Sequence, residues 1–459
     1  MSAGTGPWKP CDLRGVYPDA LSEDLMRRVG AAVGCDMQPG ESVVVAGDFR
    51  LSTPVLKQAL VDGLMSAGLR VVDCGQVPTP LAYFEATERR AAGVCIVTAS
   101  HNPAAYNGLK WMVNGRPPLP PDVDRIRAVA ESGRTRGLQG SAEDIDPVPG
   151  YRRWIESRWQ DLVAARFGPI VVDAGNGAWS RLGPEILRGL GFDVTGLFCE
   201  VDGRFPNRPA DCARTANLAA LRAAVIAQGA RLGVAWDGDG DRAAFVDENG
   251  LHASTDEISI LLARELLRGA APGEPVVYDI KLSEAVRREI LRWGGEPLLE
   301  RSGHAFMRDR LLTSRALLGL DACGHYFFRE AGSRDDGLYS ALFVIGMLGQ
   351  SESLARMRDA AGPLFGTPEL RIPETVLGYG VVLGRLRGEF REAQELVLDG
   401  ARLRVEEGIV LVRESSTEPI VSLRLEAFQR ESFERLMARC LSAVEEAREL
   451  LLRQIRDAG

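Results

Sequence analysis

A serine stands just beyond a short apolar segment, where its hydroxyl could take part in chemistry. Residues 92–97 are apolar and rich in β-branched side chains, which predicts a buried strand of a largely parallel sheet. Ligands of such sheets bind beyond the carboxyl ends of the strands, and Ser100 lies there within the segment 98–103. Taken alone, this segment is also typical of a helix cap or a turn. A second, remote element favours the chemical interpretation.

That element contains three aspartates that alternate with glycines between two apolar segments. Asp237, Asp239 and Asp241 can converge on one hard cation, and the ion that this predicts is Mg²⁺. A calcium loop of the helix-loop-helix type is the alternative, because Glu248 stands where its twelfth ligand would be. However, Arg242 occupies the position that such a loop needs for glycine, and both flanks predict strands. Magnesium is therefore favoured.

Lysine and histidine are scarce in this chain, so their positions are informative. Arginine stays protonated at physiological pH, whereas lysine and histidine can exchange protons in a suitable environment. Lys110 and Lys281 are predicted near strand ends, and Lys57 is interpreted as a surface residue. The complete set is Lys9, Lys57, Lys110, Lys281, His101, His252, His304 and His325.

Composition limits the classes of protein to consider. The formal net charge of -8 argues against a nucleic-acid-binding or anionic-membrane surface, so any phosphate should be bound by local basic residues. The chain opens with no basic-then-apolar leader, and no uninterrupted apolar span is long enough to cross a bilayer. We therefore expect a soluble cytoplasmic protein. The 8 cysteines are scattered without a Cys-x-x-Cys pair, which indicates neither a zinc site nor a disulfide framework.

A weakly preserved internal repeat indicates which strands and helices position these residues. Segments 43–73, 170–196 and 276–299 share the order strand, turn, helix, turn, strand, which predicts three similar α/β domains. Strand-like segments between 403 and 425 precede an amphipathic helix that begins near Ser432, which predicts a fourth, α+β domain. Boundaries rich in proline, glycine or charge place the domains at 1–147, 148–250, 251–363 and 364–459.

The serine segment and the aspartate segment, in this order and far apart, resemble the α-D-phosphohexomutase family, which interconverts sugar 1-phosphates and 6-phosphates. The resemblance covers essentially the whole chain and implies three α/β/α domains with mixed sheets and a C-terminal α+β domain around a central cleft. Within the family, the bifunctional phosphomannomutase/phosphoglucomutase group is the most similar. Further matching segments are 12–15, 77–80, 107–110, 202–207, 302–304, 324–325 and 413–419.

The resemblance implies a covalent phosphoenzyme. Ser100 is the residue that carries the phosphoryl group, and a phosphoserine oxygen joins the three aspartates in holding Mg²⁺. The ion would relieve the repulsion between this group and the carboxylates. Arg242 is expected to pair with the phosphoryl oxygens. The implied cofactors are Mg²⁺ and a hexose 1,6-bisphosphate, which serves as intermediate and activator.

Other residues match family positions that bind groups or handle protons. Lys110, His325 and Arg14 match positions associated with proton transfer and with the transferring phosphoryl group, and the assignment of acid and base stays open. His101 is expected to orient the Ser100 loop or to contact the phosphate. The expected contacts to a sugar-phosphate substrate are Lys281, His304 and, for the non-transferring phosphate, Arg413, Ser415, Ser416 and Thr417.

The sugar-binding loop departs from the family pattern. It usually reads Gly-Glu-x-Ser-Gly-His, whereas residues 320–325 read Leu-Asp-Ala-Cys-Gly-His. Asp321 reaches one methylene less far than glutamate, and the Cys323 thiol is a weaker donor than a hydroxyl. We expect Asp321 and Cys323 to replace the two sugar contacts, with lower affinity for glucose or mannose phosphates or a preference for another sugar. Asp321→Glu with Cys323→Ser is then predicted to improve kcat/KM on those sugars.

Alternative functions are a phosphoglucosamine mutase, a magnesium-dependent phosphatase or phosphotransferase, and a catalytically silent sugar-phosphate-binding protein. Net phosphate release would identify the phosphatase. The intact Ser100, aspartate triplet and Lys110 argue against the silent protein.

Overall fold

The structure is a computed structural model that describes residues 6–163, 167–349, 352–361, 365–414 and 419–458. Its strands form four sheets, of which the first three are mixed and the fourth is antiparallel. Within the described residues, no helix has the length and apolar character needed to cross a membrane. The predicted α/β class with a C-terminal α+β domain is confirmed.

The first domain has a six-stranded sheet in the order β1-β5-β4-β2-β3-β6. The predicted serine-bearing strand is β4, all five residues of which are buried. The elements are β1 (Leu13–Val16), α1 (Glu23–Gly34), β2 (Ser42–Gly47), α2 (Thr53–Ser66), β3 (Arg70–Gln76), α3 (Thr79–Glu88), β4 (Gly93–Val97), β5 (Tyr106–Val113), α4 (Pro120–Ser132) and β6 (Ser141–Asp144).

The second domain has a five-stranded sheet in the order β11-β10-β9-β7-β8, in which the hairpin β9–β10 carries the aspartate loop. Helices α5 (Val148–Arg158) and α6 (Gln160–Val163) precede it. Its elements are β7 (Pro169–Asp173), α7 (Leu182–Gly189), β8 (Asp193–Leu197), α8 (Ala219–Gln228), β9 (Leu232–Trp236), β10 (Ala243–Asp247) and β11 (His252–Ala253).

The third domain has a five-stranded sheet in the order β13-β12-β14-β15-β16, and the sugar-loop segment joins β14 to β15. Ser254 and Glu257 form a capping box that starts its first helix. Its elements are α9 (Thr255–Arg268), β12 (Pro275–Asp279), α10 (Glu284–Arg292), β13 (Glu296–Glu300), α11 (His304–Ser314), β14 (Leu318–Leu320), β15 (Tyr326–Phe328), β16 (Arg334–Asp335), α12 (Gly337–Leu348) and α13 (Leu354–Ala361).

The fourth domain has an antiparallel sheet in the order β17-β22-β21-β20-β19, with β18 also paired to β22. The helix that we predicted to begin near Ser432 begins at Arg430. The elements are β17 (Phe365–Gly366), β18 (Leu370–Pro373), α14 (Tyr379–Glu389), β19 (Gln394–Val397), β20 (Ala401–Arg404), β21 (Ile409–Glu414), β22 (Ile420–Ala427), α15 (Arg430–Ala443) and α16 (Arg448–Ala458).

Buried apolar side chains are distributed unequally among the domains. One continuous core runs from Val44 in the first domain to Leu354 in the third. The first domain has a second core from Leu13 to Ala130, and the fourth domain has a core of its own from Leu370 to Leu451. Burial of apolar area is the main stabilising contribution to folding, so the first three domains are held together by a shared core.

Candidate active site

The Ser100 loop is held in a strained conformation by a buried arginine. Ser100 has a φ of 50°, in the left-handed region that costs a non-glycine residue free energy. Arg50 is 1% exposed and donates hydrogen bonds to the backbone oxygens of Ser100 (2.7 Å), Asn102 (2.7 Å), Pro103 (2.6 Å) and Tyr106 (3.0 Å). These four bonds fix the backbone, so the hydroxyl of Ser100 has a defined position.

The aspartate loop lies opposite this serine. The Ser100 Oγ donates to Asp237 Oδ2 at 2.9 Å, although the two residues are 137 positions apart. Ligand atoms of Asp237, Asp239 and Asp241 lie within 4.8 Å of one another, and all three residues are buried. Asp239 Oδ1 is buried with no hydrogen-bond partner in the described part of the chain. A buried carboxylate oxygen without a donor is costly, so this donor set fits a divalent cation.

The electrostatics of the loop favour a cation as well. Burial and the neighbouring carboxylates of Asp241 and Asp239 hold the pKa of Asp237 well above its usual value. The negative charges of Asp241 and Asp239 oppose the ionisation of Asp237, and a divalent ion would remove that opposition.

Lys110 supplies a positive charge on the same site. Its Nζ lies 2.9 Å from Asp239 Oδ2 and also bonds Asp241. Burial alone would lower the pKa of Lys110, but these two carboxylates hold it well above the usual value. We predicted Lys110 near a strand end, and that placement is wrong. It lies inside β5, where it points from the first domain to the aspartates of the second.

His325 brings the third domain to the site. Its Nε2 lies 3.2 Å from Arg242 Nε and 3.3 Å from Asp241 Oδ1. Arg242, which we expected to pair with phosphoryl oxygens, also lies 3.7 Å from Asp237 Oδ2. Although burial opposes it, the Asp321 carboxylate helps to hold the pKa of His325 well above its usual value.

His101 and Arg14 flank the serine on the side of the first domain. His101 Nδ1 lies 3.3 Å from Ser100 Oγ, and nearby Arg242 together with burial holds the pKa of this imidazole well below its usual value. Arg14 donates to Asp12 and to Asn102 Oδ1, both at 2.9 Å. Arg14 therefore reaches the same loop that carries the serine.

The predicted sugar-side residues Lys281 and His304 lie near the loop that carries His325. Lys281 Nζ lies 3.9 Å from Cys323 Sγ, and His304 Nε2 lies 2.9 Å from Asp335 Oδ2. The rings of His304 and His325 are 5.5 Å apart.

The structure describes the side chains of two further predicted substrate contacts, Asp321 and Arg413. Asp321 is 3% exposed, and its carboxylate accepts hydrogen bonds from the backbone N–H groups of Cys323 and His325 in its own loop. Arg413 donates to Asp399 Oδ2 at 2.5 Å. The other members of the predicted phosphate anchor, Ser415, Ser416 and Thr417, lie outside the described residues.

Sequence reasoning missed three residues of the site. Arg50 supports the serine loop, Thr79 donates to Asp239 Oδ2 at 2.8 Å, and Asp335 lies beside His304. Thr79 belongs to the matching segment 77–80, so the resemblance contained a signal for it. No spacing in the sequence pointed to Arg50 or Asp335, because the carbonyl group of Ser100 that Arg50 binds and the His304 ring beside Asp335 lie on other elements.

Comparison with known proteins agrees with this architecture. Family models of phosphoglucomutase/phosphomannomutase match the chain as alpha/beta/alpha domain I at residues 9–136, domain II at 153–250, domain III at 254–362 and the C-terminal domain at 384–443. A phosphomannomutase/phosphoglucomutase of Pseudomonas aeruginosa is 34% identical over 448 residues, which cover 95% of this chain and 96% of the relative. A phosphoglucomutase of Neisseria gonorrhoeae is 33% identical over 447 residues, with the same coverage of 95% and 96%.

A solved structure gives the same result. A phosphoglucomutase/phosphomannomutase family protein of Burkholderia thailandensis is similar with a TM-score of 0.87 and 33% identity, covering 96% of this chain and 98% of that one. The four sheets and the serine-aspartate site thus define a four-domain enzyme of the sugar-phosphate mutase class. The chain belongs to the phosphoglucomutase/phosphomannomutase family.

Proposed function

We propose that this protein is a phosphohexomutase that interconverts hexose 1-phosphate and hexose 6-phosphate, with mannose, glucose or both as the sugar. The observation that carries the proposal is the approach of Ser100 Oγ to Asp237, at 2.9 Å, in a loop of three buried aspartates. A hydroxyl beside a carboxylate metal site is suited to carry a phosphoryl group. The relatives named phosphomannomutase/phosphoglucomutase support this choice of reaction.

In the proposed reaction, Ser100 is phosphorylated in the resting enzyme. A sugar hydroxyl attacks the phosphorus, the bond from phosphorus to the serine oxygen breaks, and a hexose 1,6-bisphosphate forms. The hydroxyl loses its proton, and the serine oxygen gains one. After the bisphosphate turns over, the serine oxygen attacks the other phosphate and the same exchange runs in reverse.

Residues of three domains would assist this transfer. His325 would exchange a proton at Nε2, and Lys110, which its carboxylate partners keep protonated, would act as a fixed positive charge. Arg14 would help to bind the transferring group, and His101 would orient the serine loop. Mg²⁺, bound by the three aspartates, would supply positive charge that offsets the phosphoryl charge.

The fourth domain would hold the phosphate that is not transferred. Arg413, Ser415, Ser416 and Thr417 offer one guanidinium and three hydroxyls, a set that suits a phosphate. Lys281 and His304 would contact the sugar phosphate from the third domain. A hexose 1,6-bisphosphate would serve as activator because it can phosphorylate an unmodified Ser100.

A coupled assay tests the proposal. Glucose, mannose and glucosamine 1-phosphates are supplied with Mg²⁺ and a hexose 1,6-bisphosphate, and the 6-phosphate products are measured. We expect turnover of glucose or mannose 1-phosphate, with phosphate on Ser100 in peptide mass spectrometry. Ser100→Ala should lose at least about 10²-fold in kcat because it lacks the covalent relay. Ser132→Ala, an exposed serine in the same domain, is the control. Net phosphate release without isomerisation would contradict the proposal.

A further inference from the structure

Asp321 and His325 close a short loop between β14 and β15. Asp321 Oδ1 accepts from the backbone N–H groups of Cys323 at 2.8 Å and His325 at 2.9 Å. Its Oδ2 lies 2.6 Å from Nδ1 of the His325 ring, and the Asp321 N–H donates to the His325 carbonyl oxygen at 3.3 Å. All of these contacts lie inside the loop. Both carboxylate oxygens of Asp321 are therefore occupied by contacts with His325 and with the backbone of the turn that carries it.

The loop is fastened to the hairpin of the second domain. Gly324 accepts from the Ala243 N–H at 3.1 Å, and its φ is +91°. A Cβ added at Gly324 would lie 2.9 Å from the Ala243 carbonyl oxygen, so this approach requires glycine. The backbone of His325 is therefore fixed beside Arg242, which leaves the orientation of the ring to be set by side chains.

The hydrogen-bond partners of the two His325 ring nitrogens indicate which nitrogen carries a proton. An ionised carboxylate only accepts, so the nitrogen facing Asp321, Nδ1, must carry a proton. Nearby His325 and Arg242 hold the pKa of Asp321 well below its usual value, although burial opposes this, so the carboxylate is ionised. Nε2 faces the Arg242 Nε–H and the Asp241 carboxylate, so it is the nitrogen that can accept or donate on the side of the reacting groups.

We propose that Asp321 is a positioning residue: its carboxylate holds His325 with the proton on Nδ1 and directs Nε2 toward Arg242, Asp241 and the reacting groups. The inference rests on the proposed mutase function. It replaces the expected sugar contact of Asp321 with a role inside the protein. Aspartate suits this role because a short side chain can accept bonds from the backbone two and four residues further along its own loop. Glutamate would move the carboxylate outward by one methylene.

Asp321→Asn provides a sharp test. The asparagine oxygen can keep the two backbone bonds to residues 323 and 325, but its amide group would donate toward the ring. Nδ1 would then have to accept, and the proton would move to Nε2. We expect kcat to fall by about 10²-fold with KM for glucose 1-phosphate within about threefold of wild type, because proton transfer is lost and sugar binding is kept.

A spectroscopic measurement separates positioning from activity. The chain has only 4 histidines, so long-range ¹H–¹⁵N spectra with labelled histidine are simple, and His325→Gln identifies the His325 signals. We expect a protonated Nδ1 in the wild type and an unprotonated Nδ1 in Asp321→Asn. If the wild type has no mutase activity, the proposed function fails while this spectrum still decides the positioning role.

Asp359→Asn removes an exposed carboxylate of the same domain and should change neither kcat nor the spectrum. Asp321→Glu should lower kcat, whereas a sugar-contact role predicts that it improves kcat/KM. A raised KM with normal kcat in Asp321→Asn, an unchanged Nδ1–H signal, or improved efficiency of Asp321→Glu would each overturn the proposal.

Discussion

Asp239 is one of several buried aspartates that have an oxygen without a hydrogen-bond partner among the described residues. A single substitution there should separate metal binding from folding. Asp239→Asn removes one of three negative ligands and one charge beside Lys110, while Thr79 can still donate to the remaining oxygen. We expect the Mg²⁺ concentration for half-maximal activity to rise at least about tenfold, because hard cations prefer charged oxygen ligands. Titration of activity with Mg²⁺ measures this shift.

Thermal unfolding with and without the ion gives an independent result for the same variant. A ligand that binds the folded state raises its stability by mass action, so Mg²⁺ should raise the Tm of the wild type more than that of Asp239→Asn. Asp193→Asn, an exposed aspartate in the same domain, is the control. Full activity of the wild type in a chelator would contradict the metal assignment.

His252 is predicted to make the protein less stable in acid. Burial, opposed by Glu257 and reinforced by Arg358 and Arg222, lowers the pKa of His252 to about 4, and Thr215 Oγ1 lies 2.8 Å from its Nδ1. An unfolded histidine titrates near ~6.5, so between these two pH values the unfolded chain binds more protons. The free energy of unfolding must therefore fall as the pH drops through this window.

His252→Gln tests the sign of this effect. Glutamine keeps a polar side chain but does not titrate, so the Tm of the variant should fall less than that of the wild type between pH 6.5 and the folded-state pKa of about 4. Melting curves across this window give the comparison. Parallel decreases in the two proteins would mean that other groups cause the acid sensitivity.

The sequence predicted a residue of the site only where that residue stands in a local motif. Ser100 and the aspartate triplet stand in short motifs, so their chemistry was visible locally. Arg50 bonds the carbonyl oxygen of Ser100 across 50 positions, and Asp335 contacts His304 on a different element of the same domain. An arginine that binds backbone carbonyl groups cannot be distinguished in the sequence from any other arginine. Asp321 stood in a recognisable motif, but the contact of its carboxylate with the His325 ring depends on how the loop folds and was not visible in the sequence.

At the scale of elements, β20 and β22 attach the fourth domain to the loop that carries Lys281. Arg402 donates to the carbonyl oxygen of Ile280 at 2.9 Å, and Arg424 donates to that of Lys281. Glu284, 3% exposed, accepts from three guanidinium groups. These belong to Arg287, Arg402 and Arg404. One buried carboxylate therefore neutralises cations from both domains.

Glu284→Gln should loosen this attachment. Removing the charge leaves the nearly buried Arg402 without its counter-ion, which costs on the order of 3 kcal/mol for buried pairs. We expect faster amide hydrogen exchange in β20 and in residues 280–284, and a larger effect on KM than on kcat, since Lys281 loses its support. Glu265→Gln, which breaks an exposed pair with Arg268, should have little effect. Unchanged exchange in Glu284→Gln would contradict the interpretation.

Elements were predictable where one face meets solvent or where a strand is uniformly apolar. β4 and the hairpin β9–β10 appeared as expected because their residues are buried on both sides. The sequence of α3 shows no helical period of apolar residues. Seven consecutive residues from Thr79 to Glu85 are buried, so the helix has no polar face over that stretch. The position of Lys110 inside β5 was missed because strand ends are set by pairing with β1 and β4, which is not local information.

At the scale of the whole molecule, the distribution of tryptophans matches the distribution of cores. The chain has 7 tryptophans, and none lies in residues 364–459. The fourth domain has its own core and meets the third through polar contacts. We therefore expect denaturant unfolding followed by tryptophan fluorescence to report only the first three domains. Far-ultraviolet circular dichroism should contain an additional transition from the fourth domain. Superimposable curves from the two probes would contradict this independence.

The contrast between a shared core and a separate one also determines which parts of the chain can be recombined with a relative. A C-terminal domain from a relative can be grafted if the polar partners of Ile280, Lys281 and Glu284 are kept, because the graft brings its own interior. Exchange of the second domain alone would place the relative's side chains into a core that is continuous with the first and third domains. Because protein cores are closely packed, those side chains would fit poorly. The three repeated domains are thus expected to be exchangeable only together, although their likeness suggests separate modules, and the dissimilar fourth domain is expected to be exchangeable by itself.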